Sequence, residues 1–349
     1  MNDRTRVLAA VGLTVLLFLG VQLGSLALVE PFDESGRQAV ENPQNPANSF
    51  LYVGLMLVAT GLMLAAFKYD LDSLIRLLLV GVSVMISWYV FAELVPPLVS
   101  PFVSDGVASG LTIAASLAVG AALLLYPEWY VIDSAGVLMG AGAAAMFGIS
   151  FGLLPALLLL SVLAVYDAIS VYGTEHMLDL AEGVMDLKIP VVFVIPTTLS
   201  YSYLAAGSTE DVLENDGGRP AGETDGSTDA SAAANAETAA DSDEDDSSSD
   251  AFDRDALFVG LGDAVIPTVL VASAASFLDV GTIAVPMLAL NLPALGALLG
   301  TIVGLLVLMR MVLEGRAHAG LPLLNGGAIG GYLLGALASG LSVASAIGL

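Results

Sequence analysis

Long apolar runs separated by short polar stretches dominate the sequence. A helix that crosses a hydrocarbon core needs roughly 20 mostly apolar residues. Runs of about that length occur at 6–29, 49–67, 73–95, 105–126, 129–148, 150–173, 256–278, 281–309 and 321–346. The pattern predicts an all-α polytopic membrane protein with nine transmembrane helices. The first run is too long for a secretory signal and no small-residue cleavage site follows it, so we expect a retained helix.

Composition supports the membrane assignment and narrows the chemistry. The chain is 56% hydrophobic and only 13% charged. It contains no cysteine, which excludes disulfides, a thiol nucleophile and cysteine-ligated metals. The two histidines, His176 and His318, are far apart in the sequence, whereas a histidine zinc site needs clustered ligands. We therefore expect neither a metal site nor a cofactor.

The basic residues indicate how the protein is oriented. If the N-terminus is cytoplasmic and nine spans alternate, the basic residues except Arg37 fall on the cytoplasmic side, as the positive-inside rule requires. The cytoplasmic group comprises Arg4, Arg6, Lys68, Arg76, Lys188, Arg219, Arg254, Arg310 and Arg316. This arrangement predicts a multi-pass cell-membrane protein with a cytoplasmic 174–255 connection and an external C-terminus.

The 174–255 connection divides the chain into an N-terminal six-helix part, 1–173, and a C-terminal three-helix part, 256–349. Within the connection, residues 207–250 hold 14 of the 35 acidic residues and almost no large apolar side chain to bury, so we predict that they are disordered. Residues 187–202 are rich in β-branched side chains and are interrupted by Pro190 and Pro196. That segment is too broken for a spanning helix and predicts a short edge strand.

Ionisable residues inside the predicted spans are few, and each needs a reason because burying a charge in lipid is costly. They are Arg76, Glu93, Asp133, Asp167 and Asp263. Arg76 and Glu93 lie at span ends, where long side chains reach the interface. Asp133 lies near the inner boundary, and we assign it an interfacial capping or packing role. Glycine pairs such as Gly296 and Gly300 are interpreted in the same way, as packing contacts between helices.

Asp167 and Asp263 lie at one depth on consecutive spans. Counting from the inner boundary, each lies about 9 to 10 Å into the membrane at 1.5 Å per helical residue. Two touching carboxyls in a site of low dielectric constant share one proton, so that one acts as an acid and the other as a base. This geometry suits an aspartyl protease, and nearly as well a proton or Na⁺ relay in a transporter. A third hypothesis is a membrane scaffold whose acidic loop recruits partners.

The residues around both aspartates carry a family resemblance. Asp167 follows Tyr166, and Asp263 ends the tetrapeptide Gly260-Leu261-Gly262-Asp263. This pair of motifs, with nine spans and a long polar connection between them, resembles the presenilin and signal peptide peptidase family. The resemblance implies that Asp167 and Asp263 are catalytic and that Tyr166, Gly260, Leu261 and Gly262 contact the substrate. The glycines would let a substrate backbone approach the carboxylate.

The family's third motif, Pro-Ala-Leu at the start of the ninth span, has two candidates here. It occurs verbatim at Pro293-Ala294-Leu295, but this tripeptide lies mid-way along the predicted eighth span, about 24 Å from its inner end. Pro322-Leu323-Leu324 opens the ninth span at the depth of the aspartates, although its middle residue departs from the family pattern. We assign the motif's role to Pro322-Leu323-Leu324, where the proline would leave backbone groups unpaired for an extended substrate.

The resemblance implies an intramembrane endopeptidase that cuts single-span helices. An unwound substrate needs backbone partners, and Val191, Phe193 and Ile195 on the predicted strand could supply them by strand addition. The expected partners are transmembrane helices of membrane proteins and the lipid bilayer, with no nucleic acid. The orientation resembles that of presenilin, which implies substrates with an external N-terminus.

Overall fold

The structure is a computed structural model and describes residues 3–69, 71–173, 191–197, 201–202, 256–313 and 319–349. Within these ranges the chain forms ten helices and two strands. They are α1 (Asp3–Glu34), α2 (Ala47–Lys68), α3 (Asp72–Val99), α4 (Asp105–Leu125), α5 (Trp129–Ser150), α6 (Leu153–Gly173), β1 (Val192–Pro196), β2 (Ala256–Gly260), α7 (Leu261–Phe277), α8 (Leu292–Leu313), α9 (Gly320–Ala338) and α10 (Val343–Ala346).

The predicted class, a helical membrane protein with a short strand segment, is confirmed. Eight of the described helices, α1 to α6 with α8 and α9, are long and apolar enough to cross a membrane. The apolar helix α7 is shorter, at 17 residues, and takes the place of the predicted seventh span. The disordered acidic segment predicted at 207–250 lies outside the described residues, and the three-part division of the chain stays a prediction.

Two predicted boundaries were wrong, and hydrogen bonds explain both. The seventh span was predicted from residue 256, but Ala256–Gly260 forms strand β2 because it pairs with β1. The eighth span was predicted from residue 281, but α8 begins at Leu292. The side chain of Asn291 caps this helix by accepting the backbone N–H of Ala294 at 2.9 Å, which fixes where the helix starts.

The predicted ninth span also ends earlier than expected. Gly340 has a φ of +81°, a left-handed conformation that glycine adopts without strain. Its N–H donates to the carbonyl of Leu337, and the N–H of Leu341 donates to the carbonyl of Ala336. This Schellman motif terminates α9. The short helix α10 then folds back, and its Ala346 carbonyl accepts the hydroxyl of buried Tyr332.

Helices α1, α5 and α7 pack together in the interior, and α6, α8 and α9 cover α7. Helix α2 lies at the periphery and exposes apolar side chains such as Leu55 and Leu62, as expected for a helix that faces lipid. The strands β1 and β2 form a two-stranded antiparallel sheet, in which Val192 is opposite Gly260 and Pro196 is opposite Ala256. Because α7 follows β2 without a break, the sheet sets where α7 begins.

Helices α8 and α9 approach closely along a line of glycines. A Cβ added at Gly300 would lie 2.1 Å from the carbonyl oxygen of Gly327, and one at Gly331 would lie 2.0 Å from that of Gly296. Nearer the start of α9, a Cβ at Gly304 would lie 2.5 Å from the carbonyl oxygen of Leu323. The packing role predicted for these glycines is confirmed. The pair is held by direct backbone contact, as small residues permit in membranes.

Candidate active site

Asp167 on α6 is bonded to the first turn of α9. The backbone N–H of Leu321 donates to Oδ2 of Asp167 at 3.1 Å. Leu321 is the second residue of α9, so its N–H has no acceptor within the helix. Asp167 therefore satisfies a backbone donor that the start of α9 leaves free, and this contact fixes the carboxyl against α9.

Asp263 lies in the first turn of α7, directly after the sheet. Its Oδ2 would be 3.4 Å from a Cβ added at Gly260 and 3.9 Å from one added at Gly320. Gly320 precedes Leu321, the donor to Asp167. The start of α9 therefore lies beside both aspartates. The structure brings together the two residues that the matched depths predicted to be neighbours.

Two helix N-termini meet at this carboxyl pair. Asp263 belongs to the first turn of α7, and Asp167 accepts a donor from the first turn of α9. The N-terminus of a helix carries a partial positive charge, so both helix dipoles stabilise a negative charge at the pair. Both side chains are only partly buried. The arrangement can hold one negative charge and still admit a reacting group from outside.

The glycines beside Asp263 leave room around it. Gly262 is exposed, and a Cβ built there would meet no atom within 4 Å. Gly260 is the N-cap of α7, and its missing side chain faces the Asp263 carboxyl. Leu261, between them, points the opposite way, and its Cδ1 would lie 3.1 Å from a Cβ at Gly140 on α5. The Gly260-Leu261-Gly262-Asp263 segment is therefore open on the side of its two glycines and packed on the side of Leu261.

The two proline motifs lie at different places relative to the aspartates. Pro322 is in the first turn of α9, next to Leu321 and its hydrogen bond to Asp167. Pro293 is in the first turn of α8 and not mid-helix, because α8 starts later than predicted. Pro293 is buried, and its Cα would lie 2.8 Å from a Cβ at Gly335, near the far end of α9. The verbatim Pro-Ala-Leu thus packs the end of the α8–α9 pair remote from the carboxyls.

Several residues predicted to contact substrate have their side chains inside the protein. Leu324 on α9 and Phe193 and Ile195 on β1 are buried in one apolar cluster. Tyr166, Val191 and Leu323 are partly buried. On β1, the N–H of Val194 donates to Oδ1 of Asp133 at 2.8 Å, so the strand edge away from β2 is occupied there. This contact does not support the predicted addition of a substrate strand to β1.

Two contributors to the site are backbone groups that the sequence does not reveal, and a third, Asp133, has a partner that the sequence did not predict. Gly320 lies beside Asp263 and the backbone N–H of Leu321 donates to Asp167, but backbone placements of this kind leave no mark in a single sequence. Asp133 was predicted to have an interfacial capping or packing role; it is 4% exposed and accepts the backbone N–H of Val194. A carboxyl inside an apolar run needs a partner, but the sequence does not show which one.

The fold and the paired carboxyls define a helical intramembrane aspartyl protease. A family model described as signal-peptide peptidase, presenilin aspartyl protease matches residues 15–341. The chain therefore belongs to this family, and it is a multi-pass membrane protein that acts on membrane-protein substrates. No curated protein sequence matches the chain.

Two solved structures support the same conclusion. Both are of a presenilin family intramembrane aspartate protease, in space groups C222 and P2. The first is 31% identical over 94% of this chain and 99% of that chain, with a TM-score of 0.60. The second is 32% identical over 93% of this chain and 96% of that chain, with a TM-score of 0.57.

Proposed function

We propose that Asp167 and Asp263 are the catalytic pair of an endopeptidase that hydrolyses peptide bonds within the transmembrane helices of single-span proteins. The observation that carries the proposal is the start of α9, which donates an N–H to Asp167 and places Gly320 against Asp263. Family membership supports the reaction class. It also sets aside the hypothesis of an ion-coupled transporter, which the matched depths alone had left open.

The mechanism follows from one proton shared by two carboxyls. The ionised carboxyl takes a proton from a water molecule, which attacks the peptide carbonyl carbon. The protonated carboxyl donates its proton to the carbonyl oxygen, so the tetrahedral intermediate forms without a net gain of charge on the pair. The dipoles of α7 and α9 stabilise the negative charge that stays on the pair throughout. The carboxyl that took the proton from water then donates it to the amide nitrogen as the C–N bond breaks. The other carboxyl takes a proton from a hydroxyl of the intermediate, which gives the new carboxylic acid and leaves the pair with one proton again. No covalent bond between enzyme and substrate is needed.

The substrate must unwind before this reaction. A peptide bond in a helix is shielded by the hydrogen bonds of the helix. When the backbone unwinds in lipid, each unpaired polar group costs roughly several kcal/mol of free energy. Gly262 provides open space beside Asp263, and Pro322 removes one donor from the first turn of α9. We infer that the scissile segment lies extended across Gly262 and the Pro322-Leu323-Leu324 segment, with its reactive carbonyl between the carboxyls.

We also propose the membrane orientation derived from the basic residues, with the N-terminus and the 174–255 connection cytoplasmic and the C-terminus external. The favoured substrates then have an external N-terminus. Two otherwise identical single-span reporters, inserted in opposite orientations, test this point in proteoliposomes. Preferential cutting of the reporter with a cytoplasmic N-terminus would contradict the orientation without affecting the catalytic assignment.

The decisive experiment is cleavage of a single-span reporter by detergent-solubilised protein. Wild type should release two fragments whose cut site lies within the spanning segment, and Asp167→Ala and Asp263→Ala should each abolish the products. The two residues act as one unit, so the double variant should be no worse than either single one. Size-exclusion profiles and melting curves show whether the variants are folded. Substantial cleavage by a folded single variant would overturn the assignment.

A further inference from the structure

Asp133 is a buried carboxyl that the proposed reaction does not use. It lies on α5 and is 4% exposed. Its Oδ1 accepts the backbone N–H of Val194 at 2.8 Å. Its Oδ2 is also buried, and no hydrogen-bond partner for it occurs among the described residues. Such a group is costly inside a membrane protein, so its single contact needs an explanation.

The face of α5 that carries Asp133 supports the elements leading to Asp263. Gly136 lies three residues after Asp133, and the aromatic ring of Phe193 packs against it. A Cβ added at Gly136 would lie 2.9 Å from that ring. The side chain of Leu261 packs against Gly140, one helical turn further along α5. Residues three and seven apart share a helix face. One surface of α5 therefore contacts β1 and then the first residue of α7.

Strand β1 is in turn bonded to the start of α7. It pairs with β2 in register from Val192 to Pro196, and the N–H of Leu261 donates to the carbonyl of Val191 at 2.8 Å. Leu261 is two residues before Asp263. A shift of β1 along α5 would therefore carry the first turn of α7 with it. The Asp133–Val194 hydrogen bond is the polar contact by which α5 holds β1 at its middle residue.

We propose that Asp133 is a positioning residue, which locks β1 onto α5 and thereby sets the location of Asp263 relative to Asp167. The proposal rests on the proposed function, because its consequence is read in turnover. What matters is the acceptor oxygen at Oδ1 and not a charge. An asparagine keeps that acceptor in the same place, whereas a leucine of similar volume leaves the Val194 N–H buried without a partner.

The test compares Asp133→Asn, Asp133→Leu and Val194→Pro, the last of which removes the same hydrogen bond from the strand side. Ser87→Ala is the control, since Ser87 is buried and its hydroxyl has no hydrogen-bond partner among the described residues. Each folded variant is assayed for kcat and KM on the single-span reporter. Amide hydrogen exchange is measured over residues 191–197 in the same preparations, with Asp263→Ala as the inactive reference.

We expect Asp133→Asn and Ser87→Ala to match wild type. Asp133→Leu and Val194→Pro should lower kcat by about tenfold or more, because a misplaced reacting group costs at least that much in rate. KM should change little. Amide exchange over residues 191–197 should be faster in Asp133→Leu than in wild type. This measurement does not depend on cleavage, so it tests the role of Asp133 even if wild type fails to cut the reporter and the proposed function is wrong.

Two results would overturn the proposal. One is unchanged exchange over 191–197 in folded Asp133→Leu, because β1 would then be held by other contacts. The other is a loss of kcat in Asp133→Asn as large as in Asp133→Leu, which would mean that the carboxyl group itself is required and not its acceptor oxygen. If Asp133→Leu does not fold, Val194→Pro with the same two measurements decides between these results.

Discussion

The contact between α8 and the start of α9 predicts that Gly304→Ala lowers turnover. The new Cβ would lie 2.5 Å from the carbonyl oxygen of Leu323, about 1 Å short of an ordinary van der Waals contact. The obstructing atom belongs to the backbone of α9, so a side-chain rotation cannot relieve the clash. The start of α9 must therefore move away from α8 by about 1 Å.

That movement acts directly on the aspartates, because Leu323 is two residues beyond Leu321. The hydrogen bond from Leu321 to Asp167, now 3.1 Å, would lengthen beyond bonding distance. A displacement of about 1 Å at reacting groups costs on the order of 100-fold in rate. Overpacking of this kind also costs about 1–3 kcal/mol of stability. We expect kcat to fall about 10- to 100-fold in the protein that remains folded.

The matched control is Gly330→Ala on α9. A Cβ at Gly330 meets no atom within 4 Å, so the same substitution should stabilise the helix by up to about 1 kcal/mol and leave turnover unchanged. Gly296→Ala adds a second comparison. Its Cβ would lie 2.2 Å from the carbonyl oxygen of Gly331, at the other end of the pair. It should lower the melting temperature as much as Gly304→Ala does, with a smaller loss of kcat.

The measurements are thermal unfolding in detergent and initial rates on the single-span reporter. Wild-type kcat in folded Gly304→Ala would refute the argument, because the clash would then be absorbed without moving the start of α9. Equal loss of kcat in Gly296→Ala and Gly304→Ala would show that the whole helix pair shifts as one body. In that case the proximity of Gly304 to the aspartates would have no special effect.

Three further predictions follow from the site and the sequence. The rate of cleavage should be bell-shaped in pH, falling at low pH as the ionised carboxyl becomes protonated and at high pH as its protonated partner ionises; a rate that is flat across both limbs would contradict the shared proton. Pro322→Ala should lower kcat strongly while Pro293→Ala lowers mainly the melting temperature, and the reverse outcome would return the motif's role to Pro293-Ala294-Leu295. Deletion of residues 210–250 should leave cleavage intact, since their composition offers almost no large apolar side chain to pack; lost activity in a folded deletion would make the segment a recruiting element.

Much of the helical framework could be predicted from the sequence. In lipid every backbone polar group must be bonded within its own segment, so the length of an apolar run is nearly the length of a helix. The run at 105–126 became α4 at Asp105–Leu125, and the run at 129–148 became α5 at Trp129–Ser150. Asp167 and Asp263 were singled out from the sequence, because they lie at one depth on consecutive spans and their flanking motifs resemble those of the family.

The start of the seventh span was predicted wrongly because it depended on a partner distant in the chain. Ala256–Gly260 is a short apolar segment that suits a helix or a strand equally well. It became a strand because Val192–Pro196 lies beside it, about sixty residues earlier in the sequence. A local pattern cannot contain that information.

The sequence by itself determined the membrane class, the approximate helices, the family resemblance and the residue types that carry chemistry. Only the tertiary structure decided how those residues are held. It placed the N–H of Leu321 at Asp167, brought the backbone of Leu323 close to Gly304, and placed the N–H of Val194 at Asp133. The physical reason is that residue identity fixes which groups must find a partner, whereas distances of about 1 Å between helices decide which partner they reach.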